Sequence, residues 1–234
     1  MAKTSLFIGG IRPLPESARP TGIYKQAATL PLAINLNGLV GDQQADRRVH
    51  GGPEKAIHLY PASHYALLAR AFPDAASQLI PGSIGENISS TTLTEENVRI
   101  GDIWRLGSAR IQVCQPRSPC WKIDERFGVD GMAAFIAEHR LTGWYWRVVT
   151  PGQVNTDDEL EPDCLADSAM TLADAMRCWA SHRPDLEQLR QLAATPGIAR
   201  HWQQKIEQRL HWLQQNEDAP SSPPTTFHVK PETP

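Results

Sequence analysis

"ARIQVCQPRSPC", residues 109–120, joins two kinds of backbone in one short stretch. Its first half alternates: Ile111 and Val113 fall on one face, Gln112 and Cys114 on the other, the period-two pattern of a strand. Its second half is a rigid loop, because Pro116 and Pro119 fix φ and remove two backbone donors. "GDIWRLG" (101–107) and "WRVVTPG" (146–152) are similar short segments closed by turn residues. From Ser5 to about Pro162 the chain reads as short strands broken by Gly, Pro, Asn and Asp. The main exception is "PASHYALLARAFPDAASQLI" (61–80), where Tyr65, Leu68 and Phe72 recur at helical spacing. Many short strands with few helices predict a mainly β chain with some α (α+β), built on an irregular closed β-barrel rather than a βαβ array.

The texture changes near residue 166. Thr171 and Asp174 stand at capping-box-like spacing, and Leu172, Met176 and Trp179 share one helical face. Pro184 suits a first helical position, ahead of a Leu186, Leu189, Leu192 stripe. Ile198, Trp202, Ile206, Leu210 and Leu213 mark a third amphipathic helix. The expected organisation is a lead-in strand over 1–20, a barrel over 21–162, a three-helix domain over 166–215 and a flexible proline-rich tail over 216–234.

Bulk properties exclude several function classes. The 234 residues carry a formal net charge of -3, which gives no electrostatic reason to bind nucleic acid or an anionic membrane. No apolar run reaches the length of a membrane span, and "LFIGGI" (6–11) is too short for a signal peptide. Four irregularly spaced cysteines do not form a secreted disulfide framework, so the cytoplasm is the expected location.

Cys114 and Cys120 could belong to a metal site, a reactive thiol, a disulfide or a plain structural turn. Cys114 lies within the strand pattern and reads as structural. A thiolate is the reactive and ligating form of cysteine, and the neighbouring charges of Arg117 and Lys122 favour it at Cys120. The proline-framed loop, with Ser118 at its centre, would hold that thiol in place. A second cluster, "GDQQADRRVHGGPEKAIHLY" (41–60), gathers Asp42, His50, Lys55 and His58 around Gly51 and Gly52. Paired glycines allow a ligand to approach backbone N–H groups, and the basic residues would attract an anion such as phosphate. A zinc set can be assembled from His50, His58, His64 and Cys120, although no zinc-site spacing supports it. "PTGIYK" (20–25) adds the Thr21 hydroxyl and Lys25 ammonium; "GENI" (85–88) adds Glu86 and Asn87. "GWYW" (143–146) and Trp121 could stack a planar base or simply fill the core.

In this order, "PTGIYK", "GDQQADRRVHGG" with "KAIHLY", "GENI" and "PRSPC" resemble the MOSC family, the molybdenum-cofactor sulfurase C-terminal domains. The resemblance covers roughly residues 21–162, and the bacterial branch with a C-terminal three-helix domain is the most similar. It implies a barrel that binds the molybdenum cofactor, Mo-molybdopterin, with Cys120 as the protein's thiolate ligand to the metal. Thr21, Lys25, His50, Gly51, Gly52, Lys55, Asn87, Arg117, Ser118 and Lys122 then become expected cofactor contacts, and Asp42, His50 and Glu86 expected proton donors beside Cys120. The implied activity is molybdenum-dependent reduction of N-hydroxylated compounds such as hydroxylaminopurine-type bases. The alternatives are a carrier of molybdenum cofactor or sulfur without its own turnover and, more distantly, a zinc hydrolase. No G-x-G-x-x-G opens a helix, and the cysteines fit no iron–sulfur spacing. An external flavoprotein reductase is therefore the expected electron donor, and a homodimer is allowed for.

Overall fold

The computed structural model describes residues 4–47, 51–156 and 158–216. Its strands are β1 (Thr4–Ile8), β2 (Arg12–Pro13), β3 (Pro20–Thr21), β4 (Gln26–Ala27), β5 (Leu32–Asn35), β6 (Gly38–Leu39), β7 (Ile57–Pro61), β8 (Ile88–Ser90), β9 (Ile103–Leu106), β10 (Ala109–Pro116), β11 (Trp144–Thr150), β12 (Gly152–Val154) and β13 (Leu160–Cys164). The helices are α1 (Ser63–Ala71), α2 (Lys122–Phe127), α3 (Met132–Glu138), α4 (Leu172–Ala180), α5 (Leu186–Ala193) and α6 (Arg200–Gln215). Eight strands form one curled sheet in the order β13-β9-β10-β11-β7-β8-β1-β4, and β12-β5-β6 form a smaller one. The ladder has two edges, β13 and β4, so the barrel is a half-barrel in its hydrogen bonding. β7 lies inside the sheet, antiparallel to β11 and parallel to β8, and all five of its residues are buried. That explains why "IHLYP" shows no alternation.

β10 departs from strict alternation at one point. Val113 pairs with Trp146 and Gln115 with Tyr145, which leaves Cys114 as the extra residue of a bulge. Ile111, Val113 and Cys114 are all wholly buried as a result, where alternation had put Cys114 on the opposite face. Trp144 and Trp146 of β11 lie in the core, so these aromatics pack the protein and do not present rings to a ligand.

The C-terminal helices follow from their apolar faces. Thr171 caps α4, its hydroxyl accepting the Asp174 N–H at 3.1 Å. Asp185 caps α5 through the N–H groups of Glu187 and Gln188, so Pro184 stands before the cap and not at the first helical position. Arg209 of α6 donates to the carbonyls of Trp179 and Ser181 and closes the end of α4. The three helices do not keep a core to themselves. Leu172, Leu189, Trp202 and Ile206 belong to the same buried cluster as Leu106, Val113 and Trp144. Backbone bonds stitch the two together: Leu172 N–H to Val98, Ala173 N–H to Glu95 and Ala199 N–H to Cys114. A second cluster joins Tyr60 and Ile84 to α1, α2 and α3. No helix among the described residues is long and apolar enough to cross a membrane.

A shared core predicts shared unfolding. Trp202 is 5% exposed, and Trp202→Ala should cost about 3–5 kcal/mol in urea denaturation. Helical circular dichroism and amide exchange in β10 should report one common transition. A helical transition that leaves the β10 amides protected would show two independent units.

Candidate functional site

The loop leaving β10 is held at both ends of Arg117. Its N–H donates to the Gly143 carbonyl at 3.0 Å, and its guanidinium donates to the Ile84 carbonyl at 2.9 Å. Gly143 has φ +64, and a Cβ there would lie 2.2 Å from the Leu59 carbonyl oxygen, so only glycine allows this approach. Its own N–H donates to Glu95 at 2.7 Å, and the other Glu95 oxygen meets His64 Nε2 at 2.8 Å. That buried pair fixes the floor beneath Arg117. Cys120 follows, its carbonyl accepting the Ile123 N–H as α2 begins. Cys114 and Cys178 are buried and Cys164 is exposed; Cys120 lies between these extremes. The Cys114 thiol donates to the carbonyls of Glu54 and Tyr145, and burial pushes its pKa up to about 12. That thiol is structural.

Around this loop the chain buries a set of charged and polar groups. Lys25 and Asp42 pair at 2.5 Å with side chains only 5% and 4% exposed. Asp42 Oδ1 also accepts the Gly9 N–H at 2.9 Å, and its Oδ2 accepts the Asn87 amide at 2.9 Å. Asn87 donates again to the Phe7 carbonyl and accepts the His58 N–H, so it ties β1, β7 and Asp42 into one knot. Burial holds the Lys25 ammonium below its usual pKa, and the Asp42 charge resists that shift. Removing either partner of such a pair costs roughly 3–5 kcal/mol.

Glu86 is wholly buried. Its Oε1 accepts the Tyr65 hydroxyl at 2.5 Å and the Gly82 N–H at 2.6 Å, while Oε2 has no partner among the described residues. Burial raises its pKa against those hydrogen bonds and the nearby Arg117 charge. His58 is pushed the other way, well below the ordinary histidine value, by burial and then by Arg117. Its ring packs 5.3 Å from that of Tyr145. The Tyr145 phenol, raised by burial, feels Arg117 and both Cys120 and Cys114. Lys25, Glu86, His58 and Tyr145 thus all lie within the electrostatic reach of Arg117, and Tyr145 within that of Cys120 as well.

Not every residue expected at the site arrives there. Asp42 and Asn87 do, but their polar atoms are engaged with each other, Lys25 and the backbone, so they position the site. The Thr21 hydroxyl accepts the Ile23 N–H at 3.2 Å, and the Lys122 ammonium donates to the Pro20 carbonyl at 2.9 Å. Ser118 is exposed at the loop tip. Gln44 closes on the glycine pair: a Cβ at Gly51 would lie 2.0 Å from its Oε1, which also accepts the Gly52 N–H. The close approach expected of a ligand is thus made by the protein itself. Lys55 Nζ lies 5.9 Å from the Tyr145 ring centre, at the edge of the cluster. His50 lies outside the described residues. His58 and Tyr145, which were not among the expected cofactor contacts, both lie within the electrostatic reach of Arg117; a histidine inside the buried run "IHLYP" was the signal for the first.

Among the described residues no group of three or more His, Cys, Asp and Glu side chains could hold a metal ion. His64 is turned to Glu95, which removes it from the zinc set. A metal at Cys120 would have to bring most of its ligands with it. The donor set fits a metal carried by an anionic organic cofactor: one half-buried thiol, the Arg117 cation three residues before it in the chain, and a buried Glu86 oxygen without a partner among the described residues.

Comparison with known proteins finds matches along most of the chain. The MOSC domain family matches residues 46–161, and the YiiM-like 3-alpha helix domain matches residues 170–211. The chain is 37% identical to protein YiiM of Escherichia coli (strain K12) over 205 residues, 87% of this chain and 90% of that one. The crystal structure of YiiM from Escherichia coli superposes with a TM-score of 0.76 at 31% identity, covering 90% of this chain and 92% of that chain. A protein of Gibberella moniliformis named "Reductase" is 33% identical over 141 residues, 60% of this chain but only 25% of its own length.

The raised Glu86 pKa makes a signed prediction. A carboxyl that holds its proton more tightly when folded subtracts stability as pH rises from the ordinary carboxylate range through the folded pKa. Glu86→Gln keeps an oxygen for Tyr65 and Gly82 and removes the titration. Urea denaturation at acidic and alkaline pH should show the wild type losing ground to Glu86→Gln as pH rises. A difference that does not change with pH would mean Glu86 ionises as it does in the unfolded chain.

Proposed function

The chain belongs to the MOSC family, in its YiiM-like branch, and on that premise we propose that it is a molybdenum-cofactor-dependent reductase of N-hydroxylated compounds. The observation that carries this reading is the setting of Cys120, a half-buried thiol on a proline-framed loop whose Arg117 lies within the field of the buried Lys25, His58 and Glu86. MOSC domains are a molybdenum-cofactor-binding family, and the fungal relative's name supports reductive chemistry. Bound here, the cofactor supplies two-electron cleavage of an N–O bond.

The chain's own residues do the rest. Cys120 offers the one protein sulfur, and the prolines around Arg117 and Ser118 keep it in place. Lys25 and Arg117 provide positive charge for an anionic cofactor, with Asp42 and Asn87 fixing Lys25. Reduction of an N–OH group to N–H and water consumes two electrons and two protons. Glu86 is the fittest of the expected donors to move a proton, since Asp42 is fully engaged and burial makes Glu86 hold its proton more tightly than an ordinary carboxyl. The neutral His58 ring presses on Tyr145 and so orients the phenol beside Arg117. Electrons would come from a flavoprotein reductase, since residues 1–234 carry no flavin, nicotinamide or iron–sulfur motif of their own.

Protein made in a cofactor-producing host should contain molybdenum by elemental analysis. It should reduce an N-hydroxylated base when NADPH and a flavoprotein reductase are both added. Cys120→Ser should fold yet lose metal and turnover, whereas Cys114→Ser should keep molybdenum. Equal molybdenum in wild type and Cys120→Ser would overturn the ligand assignment. Molybdenum without turnover would leave a cofactor carrier, and NADPH-driven turnover by this chain alone would mean that it contains its own entry point for electrons.

A further inference from the structure

Two buried acids flank one buried phenol. Tyr60 of β7 is wholly buried, and its hydroxyl has no partner among the described residues. Its ring stands edge-on to two others, that of Tyr65 at 5.3 Å and that of His64 at 5.4 Å. Each of those neighbours holds a carboxyl group. The Tyr65 hydroxyl donates to Glu86 Oε1 at 2.5 Å, and His64 Nε2 meets Glu95 Oε2 at 2.8 Å. Gly143 draws the two halves together: a Cβ there would lie 3.1 Å from Tyr60 Cδ2, and its N–H donates to Glu95 Oε1 at 2.7 Å. Burial is graded along this line. The His64 and Glu95 side chains keep 8% and 6% of their surface in solvent, next to exposed Ser63 and Glu96, whereas Tyr60 and Glu86 keep none.

A buried hydroxyl and a buried carboxyl oxygen, each without a partner among the described residues, are costly to leave so, and one water bonded to both removes the cost. We propose that Tyr60 joins the His64–Glu95 pair to Glu86 Oε2 through one buried water, and that protons reach Glu86 along this line. The inference rests on the reading of Glu86 as the proton donor of the reductase. That reaction consumes two protons and one carboxyl group holds one, so Glu86 must be reloaded within each turnover. A bound substrate covers the side on which the first proton leaves, and the second then arrives from behind. As the Tyr60 hydroxyl passes its proton through the water to the Glu86 carboxylate, its oxygen takes the proton shared by His64 and Glu95. The pair recovers that proton from solvent, and no charge stays on the phenol. Such a concerted exchange suits Tyr60, whose proton is held tightly by burial and by the Glu95 and Glu86 charges, with Arg117 opposing. The His58 ring, 6.2 Å away, is the other titratable group packed against it. Tyr60 acts through Glu86 and touches no reacting atom itself.

A high-resolution crystal structure of the full-length protein should show an ordered water within hydrogen-bond distance of both Tyr60 Oη and Glu86 Oε2. Infrared titration of the cofactor-free protein then follows the carboxyl band that Glu86→Gln removes. Tyr60→Phe keeps the ring and its packing, so a merely structural phenol would leave that band in place. Loss of the bridge should instead move the band to higher frequency and its titration to higher pH, because the Glu86 carboxylate loses a donor. In cofactor-loaded protein with saturating flavoprotein reductase, Tyr60→Phe should lower kcat by about tenfold or more and leave KM unchanged. His64→Gln, which keeps an N–H for Glu95 and cannot carry a proton, should do the same. Two oxygens that share no water, or a Glu86 band unmoved in Tyr60→Phe, overturns the bridge whatever the molybdenum content. An unchanged kcat in both variants overturns the relay and leaves the reductase reading intact. A shifted band in protein that takes up no molybdenum from a cofactor-producing host supports the bridge and overturns the reductase reading alone.

Discussion

One extra residue in β10 governs how this protein is assembled. The bulge at Cys114 turns a side chain inward that strict alternation would have placed on the far face. The thiol then bonds the carbonyls of Glu54 and Tyr145, and its own carbonyl receives the Ala199 N–H ahead of α6. Three separate parts of the chain therefore converge on one bulged position. Two residues later the strand ends in the proline loop, so the direction in which Arg117 and Cys120 leave the sheet is set by this irregularity. A regular strand would have delivered the same loop with the opposite facing.

The polar centre shows a different economy. Burying Lys25, Asp42 and Glu86 is unfavourable unless each charge or hydroxyl finds partners. Asp42 and Asn87 meet that demand completely, through each other, Lys25, Gly9, Phe7 and His58. Glu86 meets it by half, with one oxygen doubly bonded and the other without a partner among the described residues. A fully satisfied network makes a rigid wall; a half-satisfied group next to it is the place where a ligand atom or a proton has something to do. That contrast separates the residues that shape the site from those able to act in it.

Much of this was legible in the sequence. The alternation of residues 109–113, the apolar stripes of α4 to α6 and the Thr171 cap all follow from local spacing, and the structure forms each of them. The bulge was not legible, because Cys114 is small and apolar enough to suit either face. Gly51 and Gly52 read as room for a ligand, yet the Gln44 side chain, seven and eight residues earlier, fills that space. Lys122 read as a charge beside Cys120, yet a carbonyl a hundred residues earlier captures it. Local spacing names residue types and faces; it does not say which distant backbone oxygen a long side chain will find.

The same distinction bears on the C-terminal helices. Their stripes alone describe a bundle that buries its own apolar faces, and the chain's texture invites a division near residue 166. The packing joins them to the barrel by two independent routes. Ala173 bonds the Glu95 carbonyl, and the Glu95 side chain holds Gly143, which in turn receives the Arg117 N–H. Ala199 bonds Cys114, whose bulge sets the other end of the same loop. The stretch leading into Cys120 is therefore held at Cys114 and again at Arg117 through elements that the helices fix. A change in helix packing reaches the thiol through hydrogen bonds rather than through direct contact, so the helices act as part of the site's frame even where none of their side chains touches it.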